Sequence, residues 1–412
     1  MNPGELELVR ELARRYRDVA ESERHVRMRR RFRDTNDLKV VRPPVHIEEL
    51  PWHEIDSHEE LACRCADERL RAMERHFRTA LFREKHFRCD NYIEPVFPVG
   101  KAFSSTGCGF QLEEERLAVD PSNPIVSHHY HDILADERSL ERYHDPVVTA
   151  DPARDAAEAA FAEEVLDGIL PVELRGYQTY HAPWDAISML RGVEPILLDM
   201  VERPGYLHRI IGLFTRAAAC EIEQKDALRL FDPRSPDIHC TPAAVTVPNP
   251  SPPGSYHPSD VWFRTMAQMF SAVSPDAHDE FDVQYSLPLA RRFAFTYYGC
   301  CEPLHDRLHV IRKYPNLRKV GATPWADVER IAEALGPSCV LSRKPNPANV
   351  AATTDPGVVR AETEATVRAC LEHGTPCDIT LKDISTIGYR LENLEVWAQT
   401  VSDVLDRFYD KA

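Results

Sequence analysis

The last third of the chain repeats one pattern four times, a short apolar segment followed by an amphipathic one. Short apolar strands that alternate with helices require a parallel sheet covered by helices. Four such units are half of an eight-unit barrel, and the preceding roughly 200 residues can supply the other half. The pattern therefore predicts an α/β fold, a (β/α)8 TIM-type barrel, with a doubly wound open sheet as the second choice. The four apolar segments are RFAFTYYG, LRKVGAT, CVLSRKP and CDITLKD.

The first ninety residues differ from this pattern. Two stretches, GELELVRELARRYRDVAESERHVRMRRRFRD and HEELACRCADERLRAMERHFRTALFREKHF, predict long amphipathic helices. The paired prolines of VVRPPVHIEELPW break the helical pattern between them. We therefore predict an N-terminal helical extension over residues 1–90 and a barrel over residues 91–412, whose first strand is NYIEPVFPV, residues 91–99.

Charge and composition narrow the class of protein. The chain has 412 residues and a net charge of −16, which argues against a nucleic-acid partner. No apolar run approaches the roughly 20 residues that cross a bilayer, and the charged N-terminus lacks the apolar core of a signal peptide. We expect a cytoplasmic location. Eleven cysteines in a chain of this length are not a disulfide framework, so most should be small buried residues.

Polar and reactive residues follow each of the four predicted strands. In a parallel barrel, functional groups collect where strands run into the loops before their helices. The coincidence of four polar strand ends is a stronger signal than any one motif. The candidates, in strand order, are Cys300, Cys301, Glu302 and His305; Trp325; Arg343, Lys344 and Asn346; Lys382 and Asp383.

The cysteine pair is the most reactive of these groups. Thiolates hold Zn²⁺ well, and Glu302 or His305 could add an oxygen or nitrogen ligand. The alternative is that Cys300 and Cys301 are small strand-end residues. Because adjacent residues on a strand point to opposite faces, we expect one of the two thiols to enter the barrel mouth.

The basic candidates suit an anionic substrate. Arg343 and Lys344, with Asn346 held between prolines, resemble a rigid clamp for a carboxylate or phosphate, although they could instead pair with surface acids. Lys382 and Asp383 could orient a substrate or tune a base, or form an internal ion pair.

Three segments outside the repeat carry weaker signals. Asp260 begins a predicted helix after the proline-rich loop 241–258, where it could cap the helix or contact a substrate. IHC, residues 238–240, places a histidine beside a cysteine, and SHHYHD contains three histidines near residue 130. Both histidine segments are more typical of solvated loops than of metal sites.

Several quoted stretches together carry a family resemblance. SDVWFRTMAQMFSAVSPDAHDEF, YYGCCEPLHD, PNLRKVGATPWADVERIAEALG, SRKPNP and LKDISTIGYRLENL resemble the uroporphyrinogen decarboxylase superfamily, and more closely its corrinoid-linked methyltransferase-like branch. The resemblance runs from about residue 255 to the end of the chain. It implies a (β/α)8 barrel, and homodimers are common in that superfamily.

The resemblance brings two chemistries with it. The true decarboxylases carry an arginine-rich N-terminal motif and an aspartate at the end of the first barrel strand, whereas NYIEPVFPVG has no aspartate at its end, so uroporphyrinogen decarboxylation is disfavoured. The methyltransferases bind zinc through a His-x-Cys and a second cysteine near the last strand. Cys300 matches the first cysteine, but Tyr298 occupies the histidine position, and Cys377 lies at the opposite end of the last strand.

The resemblance implies a methyltransferase that moves a methyl group between a small O-, N- or S-methylated compound and a corrinoid protein, for example in O-demethylation. Zinc at Cys300, Cys301 and His305 would act as a Lewis acid, and the corrinoid would come from a partner, since no cobalamin-binding module is visible in this chain. Glu302, Lys382 and Asp383 would serve catalysis. The alternatives are a metal-independent lyase or decarboxylase for a small carboxylic acid, with Lys382 or Asp383 as proton donor, and a protein that binds a tetrapyrrole-like ligand.

Overall fold

The centre of the protein is a seven-stranded sheet in which every pair of neighbours is parallel. A computed structural model describes residues 2–55, 59–117, 126–234 and 237–409. The strand order is β1-β15-β14-β13-β12-β11-β8, so β1 and β8 are the two edges. Helices lie on its outer face, as the alternation of strand and helix in the last third predicts. The α/β class is thereby confirmed.

The described strands are short, and eight of them lie outside the main sheet in four two-stranded sheets, β2–β7, β3–β6, β4–β5 and β9–β10. The strands are β1 Val45–Ile47, β2 Phe97–Gly100, β3 Phe103–Ser105, β4 Glu114–Leu117, β5 Ser127–Tyr130, β6 Val148–Ala150, β7 Val172–Arg175, β8 Thr179–His181, β9 Asp237–Ile238, β10 Thr241–Pro242, β11 Trp262–Thr265, β12 Phe295–Tyr298, β13 Leu317–Ala322, β14 Val340–Arg343 and β15 Cys377–Leu381.

The helices range from single turns to more than six turns. They are α1 Pro3–Ala20, α2 Glu23–Asn36, α3 Trp52–Ile55, α4 Glu68–His86, α5 Pro152–Leu166, α6 Pro183–Arg191, α7 Val193–Glu202, α8 Pro204–Ala227, α9 Pro275–His278, α10 Gln284–Ala290, α11 Leu308–Ile311, α12 Val328–Leu335, α13 Pro356–Glu372 and α14 Glu392–Tyr409. Among the described helices, none combines the length and the apolar run that crossing a membrane requires.

Two expectations about strands need correction. Val45–Ile47, inside the segment expected to be a helical extension, forms an edge strand of the main sheet and pairs with β15. The segment expected to supply the first core strand instead ends in β2, which pairs with β7. A three-residue strand between prolines and acidic residues carries too little apolar periodicity to be recognised from sequence.

The segment after Asp260 is a strand and not the predicted helix. Trp262–Thr265 lies fully buried between β8 and β12. Its sequence, WFRT, is rich in the aromatic and β-branched residues that suit a pleated, buried surface. A short apolar run cannot be assigned to helix or strand by its period alone, and the packing of the neighbouring strands decides the outcome.

The main apolar core lies between the sheet and its helices. Val320, Leu341 and Ile379 point outward from three adjacent strands and pack in one cluster with Val367 of α13 and Trp397 of α14. A second cluster joins α1, α4 and α5. Since the outward residues of β13, β14 and β15 are apolar, the alternate residues of the same strands must face the other side of the sheet.

Candidate active site

The inner face of the sheet carries a buried polar network at its centre. Asp378 of β15 accepts hydrogen bonds from Lys319 Nζ at 2.6 Å and from Ser342 Oγ at 2.5 Å. Thr241 Oγ1 lies 3.2 Å from the same carboxylate. Burial opposes the ionisation of Asp378, but the charges of Lys319 and Lys344 hold the pKa of its carboxyl below the usual value. This fixed network supports the groups that lie nearer the carboxyl ends of the strands.

Cys300 and Cys301 follow β12 after a sharp turn at Gly299. Gly299 has φ +118°, and a Cβ there would meet Leu304 at 3.1 Å, so glycine is needed at this position. The turn ends the strand alternation, and the two Sγ atoms lie 3.5 Å apart. The expectation that only one thiol would enter the mouth is therefore wrong. The hydrogen bond between them lowers the pKa of Cys301 and raises the pKa of Cys300.

Lys382 and Asp383 follow β15 and face the cysteine pair. Lys382 Nζ lies 2.7 Å from Asp383 Oδ2, and Cys301 Sγ lies 3.6 Å from the same oxygen. Glu49, just after β1, accepts the Asp383 backbone N–H at 3.0 Å. Burial opposes ionisation, but the hydrogen bond and charge of Lys382 lower the pKa of Asp383. The predicted internal ion pair is present and lies beside the thiols.

A strained two-residue turn brings two further side chains to this place. His239 and Cys240 join β9 to β10 with φ +44° and +59°. Such a turn normally uses asparagine and glycine, because both positions require the left-handed region. Cys240 Sγ lies 3.0 Å from Glu49 Oε1, and the ring of His239 packs edge-on against Tyr297 at 5.6 Å. Strain of this kind persists where the surrounding structure enforces it, often at functional sites.

Two basic side chains on the inner face lack acidic partners. Arg264 stacks on Tyr180 at 3.9 Å and donates to Met266 Sδ at 3.1 Å, and its Nε has no hydrogen-bond partner. Lys344 is 2% exposed and donates to Ser342 Oγ at 3.0 Å. Within the described ranges, no carboxylate oxygen lies within 4.0 Å of a charged nitrogen of either residue. Asp378 stabilises the charge of Lys344 only in part, and a buried charge without a carboxylate in direct contact is expensive unless a ligand supplies one.

These groups form one cluster, which we call the inner site. Its members are His239, Arg264, Tyr297, Cys300, Cys301, Lys344 and Lys382. Burial and three positive neighbours hold the pKa of His239 well below its usual value, so the ring is neutral. Burial also lowers the pKa of Lys344 to about 8, although Asp378 opposes this effect. The inner site therefore combines anion-binding charges, an amine that can exchange protons near pH 8 and a thiol, that of Cys301, whose pKa is lowered.

Two residues of the predicted clamp, Arg343 and Asn346, lie outside the inner site. Arg343 points to the helix-covered face, where it donates to Thr323 O at 2.5 Å and pairs with Glu362 at 2.7 Å. The Asn346 side chain accepts from the Ala348 N–H at 3.0 Å and caps a short 3-10 turn. Arg343, Lys344 and Asn346 therefore do not form the expected clamp, because strand alternation separates Arg343 from Lys344.

The carboxylate of Glu302 links the chain segments that follow β11 and β12. Its carboxylate accepts the N–H groups of Cys300 at 3.0 Å and Ala267 at 3.4 Å. It is 1% exposed, and burial raises its pKa. This geometry fixes the turn after β12 relative to the end of β11, so Glu302 is a positioning residue for the cysteines.

Asp260 and His305 have hydrogen-bond partners outside the inner site, and Trp325 is exposed. Asp260 accepts the N–H groups of Ser251 and His257 and closes a turn before β11. Trp325 is 70% exposed. His305 accepts the Asp327 N–H at 3.3 Å through Nδ1.

The predicted zinc ligands do not fit a zinc ion as they are placed. Ligand atoms at 2.0–2.3 Å from one ion lie within about 4.6 Å of each other. Over residues 2–55, 59–117, 126–234 and 237–409, the one group of three histidine, cysteine or carboxylate ligand atoms mutually within 4.8 Å is Glu329, Glu372 and His373. Cys300, Cys301 and His305 are not such a group, so the zinc site stays a prediction.

Several residues of the inner site escaped the sequence analysis. The sequence does not single out Arg264 because its segment predicts a helix, although an arginine in the apolar run VWFRT is itself a signal of a polar inner face. Tyr297 and Glu49 carry no local signature. The sequence shows a histidine beside a cysteine at His239 and Cys240. The left-handed turn that directs them inward cannot be recognised without its sheet partner.

Comparisons with known proteins add little beyond this geometry. No protein-family model matches the chain, and no curated protein matches it. Among solved structures, a methyltransferase from Methanosarcina mazei resembles it with 13% sequence identity, over 93% of this chain and 99% of that chain, with a TM-score of 0.48. A likeness of this size carries no conclusion about activity. The groups of the inner site therefore decide which chemistry is possible.

Proposed function

We propose that this protein is an enzyme that transfers a methyl group between a small anionic O-, N- or S-methylated compound and a corrinoid protein. The observation that carries the proposal is that two buried basic side chains of the inner face, Arg264 and Lys344, have no carboxylate oxygen within 4.0 Å among the described residues. The thiols that follow β12 belong to the same inner site. The family resemblance of the sequence supports the same reaction class.

The basic groups would bind and orient the substrate. Arg264 presents a guanidinium held by the Tyr180 ring, and such a planar fork matches a carboxylate or phosphate. Lys382, which follows β15, carries a second positive charge that Asp383 partly balances. Tyr297 and the neutral His239 provide an uncharged wall between them. In the proposed complex, a small anion held by these groups presents its methylated heteroatom to Lys344.

Lys344 is suited to protonate the leaving heteroatom. When the bond between the methyl carbon and the heteroatom breaks, the electron pair stays on the heteroatom, which takes a proton from the Lys344 ammonium group. A donor whose pKa is about 8 delivers its proton more readily than an ordinary lysine. The partner's corrinoid, when bound, supplies the acceptor for the methyl group.

The test uses free cob(I)alamin as the acceptor and methoxybenzoate, an N-methylated amino acid and a methylthio acid as donors. Wild-type protein should form methylcobalamin and the demethylated acid from one donor class. Lys344→Met should reduce kcat at least about 100-fold, the usual range for a lost proton donor, and Arg264→Gln should mainly raise KM. The exposed Lys39 provides the control variant Lys39→Met. Failure of all three donor classes would contradict the proposal.

A second function is favoured by the same amine. A buried lysine whose pKa is about 8 is partly neutral near pH 7.5 and can form an imine with an oxo acid held by Arg264. This would be a metal-independent lyase or decarboxylase. Borohydride reduction in the presence of an oxo acid should then add the acid's carbon skeleton to Lys344, as peptide mass spectrometry would show. Methyl transfer without any trapped adduct would exclude this second function.

We also propose that the sheet belongs to an eight-stranded barrel with one irregular position. Beside the edge strand β1, the Asp90 N–H donates to Val45 O at 2.6 Å. On the other edge, β7 leads into β8 and pairs with β2, and Tyr177 forms a parallel bridge with Phe231. These contacts support a chain between β1 and β8 in the position of the missing strand.

A further inference from the structure

A cavity of about 820 Å³ lies beside the inner site, outside the gap between β1 and β8. Its wall contains inward residues of β1, the segment 91–98, and the residues around the β9–β10 hairpin. None of the seven residues of the inner site lines it. His239 and Cys240, at the tip of the hairpin, belong to the other side, so the hairpin separates the two spaces. The volume lies in the range of small-molecule pockets, about 300–1,000 Å³.

Arginine dominates the charge of this cavity. Six arginines line it against three carboxylates, those of Glu48, Glu94 and Asp237. The whole chain has a net charge of −16, so this excess of positive charge is local, although Glu173 and Asp232 pair with Arg175 and Arg234 and reduce it. The field of such a concave, positively charged wall concentrates anions. The six are Arg29, Arg33, Arg75, Arg83, Arg175 and Arg234.

The inner part of the wall is fixed by ion pairs and keeps unused donors. Arg83 holds Glu48 through two bonds of 2.8 and 2.9 Å, and its Nε is buried without a partner. Arg175, which is 8% exposed, donates to Glu94 at 3.1 Å and also keeps an Nε without a partner. Buried donors are normally satisfied, so these two nitrogens indicate a missing acceptor.

The outer part of the wall carries two arginines of helix α2. Arg29 and Arg33 lie one turn apart on α2 and line the cavity together. Arg29 has only a 3.6 Å contact with Glu94, which Arg175 shares. Between them and the hairpin, the wall is apolar and aromatic, with Tyr92, Ile93, Val245 and Val247.

We propose that this cavity is a second ligand site, for a small organic anion with a planar apolar body and a carboxylate, sulfonate or phosphate group. The anionic group binds Arg29 and Arg33, and the apolar body packs on the aromatic and aliphatic wall. An inorganic anion would lose the apolar contacts, and a neutral aromatic compound would lose the charge-assisted hydrogen bonds. The site does not depend on the reaction proposed for the inner site.

The probe is 8-anilinonaphthalene-1-sulfonate, an aromatic sulfonate that fluoresces in apolar surroundings. Wild-type protein should bind one equivalent, and phthalate and phenyl phosphate should displace it, whereas inorganic phosphate should compete at least about tenfold less well. The relative strength of phthalate and phenyl phosphate distinguishes a carboxylate from a phosphate ligand. Equal competition by inorganic phosphate would contradict the role of the apolar wall.

The variants use arginines of one helix. The double variant Arg29→Gln with Arg33→Gln should raise the Kd of the probe about 100-fold, or about tenfold for each lost charge-assisted contact. The control is Arg27→Gln with Arg30→Gln, whose side chains are 65% and 77% exposed on the same helix and do not line the cavity. The control should change Kd less than twofold.

Arg264→Gln separates the cavity from the inner site, and the probe should bind this variant with unchanged Kd. An unchanged Kd in the Arg29 and Arg33 variant, or no saturable binding by wild-type protein, would overturn the proposal. A loss of binding in Arg264→Gln alone would instead assign the probe to the inner site and would equally overturn it.

Discussion

Arg343 and Lys344 are neighbours in sequence and carry the same charge, but they lie on opposite faces of the sheet. On the outer face, Arg343 finds Glu362 and two backbone carbonyls. On the inner face, Lys344 finds a hydroxyl and an aromatic ring, with no acid inside 4.0 Å among the described residues. The outer charge has a complete set of partners and stabilises the fold. The inner charge is incompletely compensated, as is expected of a group that binds an anionic ligand.

The sharpest test of this difference is Lys344→Met. The pKa of Lys344 is lowered from 10.5 to about 8, so below pH 8 the lysine is charged in both folded and unfolded states and burial of that charge opposes folding. The difference corresponds to about 3 kcal/mol. We expect Lys344→Met to be more stable than wild type by about 3 kcal/mol at pH 7 while it loses activity.

The pH dependence of that difference follows from its sign. As pH rises from 8 to 10.5, the unfolded state holds more protons than the folded state, so the stability of wild-type protein rises and its disadvantage disappears. Urea denaturation of both proteins at pH 7, 9 and 10.5 measures this. If the free energies of unfolding of wild type and Lys344→Met differ by the same amount at every pH, burial does not lower the pKa of Lys344.

The opposite result is expected for Arg343→Met. Removing the guanidinium breaks the ion pair of Glu362, which keeps hydrogen bonds from the Asn346 N–H and the Asn349 amide. The carbonyls of Ala322 and Thr323 each lose one of their donors. Breaking a buried pair typically costs 3–5 kcal/mol, but Glu362 is 19% exposed, so we expect a loss of about 2 kcal/mol in the free energy of unfolding. The control Arg368→Met removes a 66% exposed arginine and should change stability by less than about 0.5 kcal/mol. Two arginine variants of equal stability would remove the distinction between the faces.

The smallest effect concerns the turn between β9 and β10. Cys240 has φ +59°, and asparagine adopts this region more easily than cysteine. We expect Cys240→Asn to gain about 0.5 kcal/mol in thermal or urea unfolding and to alter substrate affinity, because its side chain no longer offers a thiol to Glu49. Cys63→Asn, at a half-buried cysteine outside the inner site, should bring no gain. A destabilised Cys240→Asn would mean that the thiol contact outweighs the strain.

Structure that depends on long local sequence patterns could be predicted, whereas contacts with distant groups could not. The units from β12 to α14 were predicted because each apolar strand is followed by a helical segment, and α12 and α13 also have capping aspartates, which are local signals. The strand ends at Cys300, Cys301, Lys382 and Asp383 followed from the same alternation, and the structure brings these four side chains together. The partners of Arg343, Asn346 and Asp260 depend on distant or capping groups, and there the functional interpretation failed.

The sequence by itself determined the alternation of strand and helix in the last third and the polar residues at the strand ends, because hydrophobic period and capping chemistry act between near neighbours. Only the tertiary structure decided that Val45–Ile47 joins β15, that β11 is a strand, and that a left-handed His239–Cys240 turn meets Tyr297 and Glu49. It also decided which of Arg343 and Lys344 is compensated. These outcomes depend on contacts between segments that are not neighbours in sequence, from 19 residues apart for Arg343 and Glu362 to 334 for Val45 and Ile379, which no local pattern records.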